Sequence, residues 1–165
     1  MREPLSAEAR AAHLATIRAK AEADMAAIGI DREFIDRLVE TFYERIRDHA
    51  VLGPVFEARL AGRWEQHLAK MKRFWGAMAF KDGAYGGKPM AAHQAIPGLT
   101  PSLFGQWLAL FNTTLVDIAP SARAHDWFMT SADRIARSMV TALFANPAGD
   151  APSDPGSAPD GESTP

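Results

Sequence analysis

The stretch Trp64-Glu65-Gln66-His67-Leu68-Ala69-Lys70-Met71-Lys72-Arg73-Phe74-Trp75-Gly76-Ala77-Met78 decides the fold. Trp64, His67, Leu68, Met71, Phe74, Trp75 and Met78 recur at steps of three and four, so they share one face of a helix. Arg63, Glu65, Lys70, Lys72 and Arg73 fall on the other side, where water solvates them. The same period runs outward in both directions. Phe34, Ile35, Leu38, Val39, Phe42, Tyr43 and Ile46 make one inner face upstream. Leu103, Phe104, Trp107, Leu108, Phe111 and Leu115 make another downstream, followed by Trp127, Phe128, Ile135, Met139, Val140 and Leu143. No segment alternates as a strand does and no internal repeat is present, so the fold class is all-α.

Proline placement supplies the punctuation. Between residues 5 and 146, prolines stand at 54, 89, 97, 101 and 120, beside glycine, in polar patches or where a helix begins. Ser6 is placed to cap a helix reaching Ala27, and Gly29 interrupts it. Asp31 is placed to cap the next, with Ile30 and Ile35 spaced as a hydrophobic staple. Gly53-Pro54 breaks the chain and leaves Val55-Phe56 as an apolar pair in a linking segment. A glycine-rich break at 82–88 precedes a short helix closed by Pro89 and Pro97. Thr100-Pro101 and Pro120-Ser121 open the last two helices. This organisation divides the chain into an N-terminal helical extension (1–29), a globular domain (30–145) and a disordered acidic Pro/Gly/Ser tail (146–165).

Composition narrows the function. At 165 residues and 47% hydrophobic content, the chain has material for one sizeable core. The net charge is −2, and four acids (Asp150, Asp154, Asp160 and Glu162) lie in the tail, so the body is close to neutral. That balance offers neither a nucleic-acid footprint nor a polybasic membrane patch. With no cysteine, disulfides, thiolate metal sites, a cysteine nucleophile and covalent haem attachment through C-x-x-C-H are all excluded. No apolar signal core and no membrane-length run are present, and a cytoplasmic location is the expectation.

Neutral imidazole is then the main transition-metal ligand left to this chain. His93 lies in a helix too short to stand alone, so something tertiary must hold it. His67 lies on an apolar face, where an imidazole needs a partner. Two inward histidines on separate helices among aromatic residues fit a bound metal, foremost haem iron, or two ordinary core histidines; spacing leaves both open. Tyr43 and Trp107 add two more polar tips on apolar faces, consistent with scattered internal hydrogen bonds or with one shared pocket. Other site types fail. No Glu-x-x-His, H-E-x-x-H or G-x-S-x-G occurs, and Gly86-Gly87-Lys88 lacks the spacing and the following hydroxyl of a phosphate loop.

Taken in order, these residues resemble a truncated haemoglobin of group III. The resemblance rests on Phe42-Tyr43, Leu52-Gly53-Pro54-Val55-Phe56, Trp64-x-x-His67-Leu68-x-x-Met71-x-x-Phe74-Trp75, Tyr85-x-Gly87-x-Pro89-Met90-x-x-His93, and Phe104-x-x-Trp107-Leu108-x-Leu110-Phe111. It covers roughly residues 30 to 145 and implies a two-over-two helical sandwich around a pocket for haem b. It makes His93 the proximal iron ligand, His67 the distal histidine, Tyr43 the distal tyrosine and Trp107 the distal tryptophan. It implies that Phe56 packs on the haem and that Met71 and Trp75 wall the distal side and inner end of the pocket. Residues for the haem propionates are not fixed by the motifs; Lys70 and Arg73 are candidates as basic residues near the rim.

The implied function is a globin that reversibly binds O2 and related ligands such as NO, CO or cyanide, for oxygen binding or transport. The alternative is a haem enzyme, an NO dioxygenase or peroxidase-like oxidant served by an external reductase, since the chain carries no flavin or nicotinamide motif. A haem-free helical interaction module is a third reading. No nucleic-acid or membrane partner is expected.

Overall fold

The computed structural model describes residues 4–144, and the tail expected at 146–165 lies outside them. Among the described residues all regular structure is helical, in the order α1 (Ala7–Ala27), α2 (Arg32–Asp48), α3 (Leu52–Leu60), α4 (Trp64–Phe80), α5 (Pro89–Gln94), α6 (Pro101–Ile118) and α7 (Ala122–Phe144). α2 packs on α4, α6 packs on α7, and α2 against α6 joins the two pairs. That is the expected two-over-two arrangement. α3 rests on α2 and α6, and α1 lies along α4. Among the described residues no helix is long and apolar enough to cross a membrane.

α2 shows how directly pattern becomes packing. Its buried residues are Phe34, Ile35, Leu38, Val39, Phe42, Tyr43 and Ile46, the whole periodic set. Asp31 caps its start by accepting a hydrogen bond from the Phe34 amide at 2.7 Å. Phe34, Phe42, Phe111 and Phe128 are fully buried. Trp75 stacks on Phe111 at 5.4 Å and meets Phe128 edge-on at 5.2 Å, which knits α4 to α6 and α7. Each such pair adds about 0.5–1.5 kcal/mol beyond the area it buries. On α4 itself, Trp64, Trp75, Gly76, Ala79 and Phe80 are buried, while His67, Leu68, Met71, Phe74 and Met78 are half-buried. The middle of that stripe is therefore not fully covered by neighbouring helices.

α1 ends inside the body. Ala21 and Met25 are buried, and Met25 belongs to the core cluster. Ser121 ties the end of α1 to the start of α7: its hydroxyl donates to the Ile28 carbonyl at 2.7 Å and accepts from the Ala124 amide at 3.0 Å, capping α7. Gly29, at φ +86°, turns the chain directly against Pro120.

One expectation is corrected. Val55-Phe56 does not lie in a linking segment but in α3. Pro54 is the third residue of that helix, where the backbone has no intrahelical acceptor and proline removes nothing. The His49 ring opens α3 by accepting from the Val51 and Leu52 amides at 3.2 and 3.0 Å, so Nδ1 carries the lone pair. Capping from an upstream ring, rather than from a Ser or Asp at the usual position, is why the pattern was silent here.

Residues 81–88 are irregular but held at points along their length. The Arg32 guanidinium lies over the Phe80 ring at 4.7 Å and pairs with Asp82 at 3.0 Å, while Tyr85 meets Phe74 edge-on at 5.1 Å.

The closest backbone approach gives a test. A methyl group on Gly53 would sit 2.7 Å from the Arg47 carbonyl oxygen and 3.2 Å from that of Ile46. Because backbone must move, Gly53→Ala is expected to cost about 1–3 kcal/mol in urea unfolding. Gly105→Ala, on the open face of α6 with nothing within 4 Å, is expected to stabilise by about 0.5–1 kcal/mol.

Candidate functional site

Three side chains meet at one end of the sandwich. Tyr43 of α2 is packed edge-on against His67 of α4 at 4.9 Å between ring centroids. Phe56 of α3 closes the group, 6.0 Å from Tyr43 and 6.5 Å from His67. The spacing of α2 puts Tyr43 one residue from Phe42, so one turns toward this group and the other into the core. Phe42 meets Tyr43 at 5.2 Å, Trp107 at 5.5 Å and Phe111 at 5.0 Å. Trp107 stacks on Phe111 at 5.3 Å, and Phe111 stacks on Trp75.

The structure therefore brings Tyr43, His67 and Phe56 into direct contact and places Trp107 behind Phe42. Trp75 is buried with Phe74, Phe111 and Phe128. Met71 is half-buried on the stripe one turn beyond His67 and packs on the core. The ammonium of Lys72 is held by Glu40 at 2.6 Å, and Arg73 is exposed.

His67 is the electrostatic anomaly. Its Nε2 is, among the described residues, the buried side-chain polar atom without a hydrogen-bond partner. Buried polar atoms nearly always find one, and leaving one unpaired costs about 1–3 kcal/mol. Burial, then the positive charge of Lys70 and that of His93 whenever His93 is protonated, push its pKa from 6.5 down to about 4. The ring is thus neutral at physiological pH and keeps Nε2 available as donor or acceptor. Burial also pushes the Tyr43 hydroxyl well above its ordinary range, so it remains a phenol and a donor.

His93 is prepared differently. Its Nδ1 lies 2.6 Å from the Pro89 carbonyl oxygen, one turn earlier in α5. A carbonyl only accepts, so Nδ1 carries the proton and Nε2 carries the lone pair. Anchoring one imidazole nitrogen on a backbone carbonyl is how proteins orient a histidine for metal ligation. The ring lies 6.0 Å from Phe104 of α6 and lines a surface cleft of about 260 Å³ with Ile96, Leu99 and the end of α7. α5 buries none of its residues, in keeping with a segment that cannot hold itself. Tyr43 and Leu68 line a second cleft of about 340 Å³ between α2 and α4, rimmed by Glu40, Glu44, Arg47 and Asp48. The two clefts share no lining residue.

The donor set argues against a bare ion. Among the described residues no group of three or more His, Asp or Glu side chains could hold one. One oriented imidazole lone pair and one orphaned imidazole nitrogen, among aromatic rings, instead fit a planar group that brings its own equatorial ligands.

Sequence reasoning missed what surrounds Trp64. Its indole N–H donates to Glu57 at 2.7 Å and Arg47 lies over its ring at 4.6 Å. Nothing in the local pattern pairs a helix-start tryptophan with an exposed glutamate seven residues earlier.

No family model matches the chain. The curated group 3 truncated hemoglobin ctb of Campylobacter jejuni is 36% identical over 89 residues, which span 52% of this chain and 70% of that protein. The crystal structure of group III truncated hemoglobin from Campylobacter jejuni superposes with a TM-score of 0.66 at 30% identity, covering 70% of this chain and 92% of that one. With that similarity extending over most of the relative's length, the chain belongs to the group III truncated haemoglobins.

Proposed function

We propose that the chain binds haem b through His93 and reversibly holds O2 and related small ligands, such as NO, CO or cyanide, beside Tyr43, His67 and Trp107. The observation that carries this reading is the orphaned, buried Nε2 of His67, packed against Tyr43 and electrostatically coupled to His93. An atom kept unpaired at that cost is explained by a partner that arrives with the ligand. Family membership supports the reading from outside the site.

Nε2 of His93 would hold haem, which would supply the iron to which a diatomic ligand binds. The chain supplies everything else. Pro89 keeps the proton on Nδ1 of His93, and with it the lone pair on Nε2. Tyr43, as a neutral phenol, donates a hydrogen bond to a ligand that carries partial negative charge. Neutral His67 donates or accepts through Nε2 according to its tautomer, and Phe56 and Phe42 pack apolar rings against Tyr43. A hydrogen bond to a charged acceptor contributes about 1.5–3 kcal/mol. Retention of such a ligand therefore depends strongly on these two donors.

Three outcomes follow. His93→Ala is expected to abolish or greatly weaken haem retention, read from the Soret band of the purified and reconstituted protein; unchanged retention would remove His93 from its role. Tyr43→Phe is expected to speed O2 release by roughly 10- to 100-fold, measured by stopped flow, because one charge-assisted hydrogen bond is lost. The third concerns the haem-free protein. Below pH 6.5 the unfolded chain takes up a proton at His67 that the folded chain refuses until about pH 4. Stability is therefore lost as pH falls through that window. The share due to His67 is about 1–2 kcal/mol between pH 7.5 and 5. His67→Leu is expected to remove that share from the difference between urea midpoints at the two pH values.

A further inference from the structure

The corner between α3 and α4 leads into His67, and its backbone is tied by the Ala61 amide to the Glu57 carbonyl at 3.0 Å and the Arg63 amide to the Leu60 carbonyl at 2.7 Å. Gly62 stands at φ +72° with nothing within 4 Å of the position a Cβ would take. Arg63 provides no side-chain cap to α4; its guanidinium turns back instead to the Arg59 carbonyl at 2.7 Å, closing the end of α3. The first turn of α4 is held by Trp64. This ring is 8% exposed although it begins a helix. The Arg47 guanidinium of α2 lies over it at 4.6 Å, and Phe56 of α3 stacks against it at 6.5 Å and 23°. Its N–H is taken by the exposed carboxylate of Glu57 at 2.7 Å. One side chain thus touches α2 and α3 from the first position of α4, one helical turn before His67. Phe56, clamped on the outside by Trp64, is the ring that meets Tyr43 and His67 on the inside.

We propose that the Glu57–Trp64 hydrogen bond, with Arg47 on the indole face, is a latch that sets the position of His67 and Phe56 in the ligand pocket. Trp64 and Glu57 are positioning residues: they act on a bound ligand through His67 and Phe56. The part of this inference that concerns a ligand rests on the proposed haem function. The latch itself rests only on contacts within the protein. A net hydrogen bond of ordinary strength corresponds to about a 2- to 10-fold change in the population of the opened corner.

The experiment compares Glu57→Ala, Trp64→Phe, their combination and Glu57→Gln with the wild-type chain. In the ferrous protein, Glu57→Ala and Trp64→Phe are each expected to raise the CO association rate by about 2- to 10-fold. Both are expected to move the C–O stretching band in the same direction. The double variant is expected to go no further than Trp64→Phe alone, since that change already removes the hydrogen bond that Glu57→Ala removes. Glu57→Gln keeps an acceptor oxygen and is expected to restore the wild-type band. In the haem-free protein, amide hydrogen exchange at His67 and Leu68 is expected to quicken by a similar factor while that of α2 stays unchanged. An unmoved C–O band, additive effects in the double variant, or unchanged exchange at 67–68 would each overturn the latch. If the wild-type chain takes up no haem, the proposed function fails, and exchange at 67–68 still decides the latch. Should Trp64→Phe fold poorly, Glu57→Ala, at an exposed position, carries the test alone.

Discussion

Phe42 is the joint between core and pocket. Its ring is buried to within 2% of its surface and meets Tyr43, Trp107 and Phe111 edge-on, all within 5.5 Å. Edge-to-face contact sets the angle between rings as well as their distance. Fixing Phe42 in the core therefore fixes the directions of Tyr43 and Trp107, the two candidate residues that touch it. The stack Trp75–Phe111–Trp107 extends the same constraint across α4 and α6. A group built this way is oriented by the apolar packing that stabilises the fold, which offsets the cost of the unpaired Nε2 of His67.

The other half of the site is built on the opposite principle. α5 buries nothing, and the strand of chain before it is held by the exposed Arg32–Asp82 pair and by Tyr85 on Phe74. An ion pair of that exposure contributes about 0–1 kcal/mol. Ordering of this segment therefore leans on the aromatic contact, and the segment is the natural low-stability unit of the molecule. His93 sits on it with one nitrogen already committed to Pro89. The candidate residues are thus divided between a packed aromatic group around Tyr43 and His67 and a weakly held segment whose His93 ring is fixed by Pro89.

The inner face of α2 was legible residue for residue, because nothing but burial acts on it. The stripe of α4 was legible as a stripe, yet only Trp64 and Trp75 of its large members are fully buried, since the middle of that face is not fully covered by neighbouring helices. Ser6 and Asp31 act as the caps they resemble. Thr100 begins α6 as expected but its hydroxyl makes no capping bond. Val55 and Phe56 were misplaced because α3 starts from the His49 ring, a cap with no local signature. The small residues Ala124, Ser131, Ala132 and Ala136, which let α7 lie close to its neighbours, carry no apolar signal strong enough to mark a buried face.

What the sequence by itself determined is the part governed by period and by residue chemistry. Helical faces follow from steps of three and four, helix limits follow from proline and caps, and the absence of cysteine leaves imidazole as the main candidate ligand for a transition metal. It also named Tyr43, His67 and Trp107, because polar tips on apolar faces are visible in one dimension, and His93, because two prolines close its helix too short to stand alone. Only the tertiary structure decided which of them meet. Tyr43 reaches His67 because α2 and α4 pack face to face; Trp107 is reached through Phe42; His93 takes its tautomer from Pro89. It alone tied Trp64 to Glu57 and Arg47. Contacts between helices depend on crossing geometry and side-chain direction, and neither is written in the spacing along any one helix.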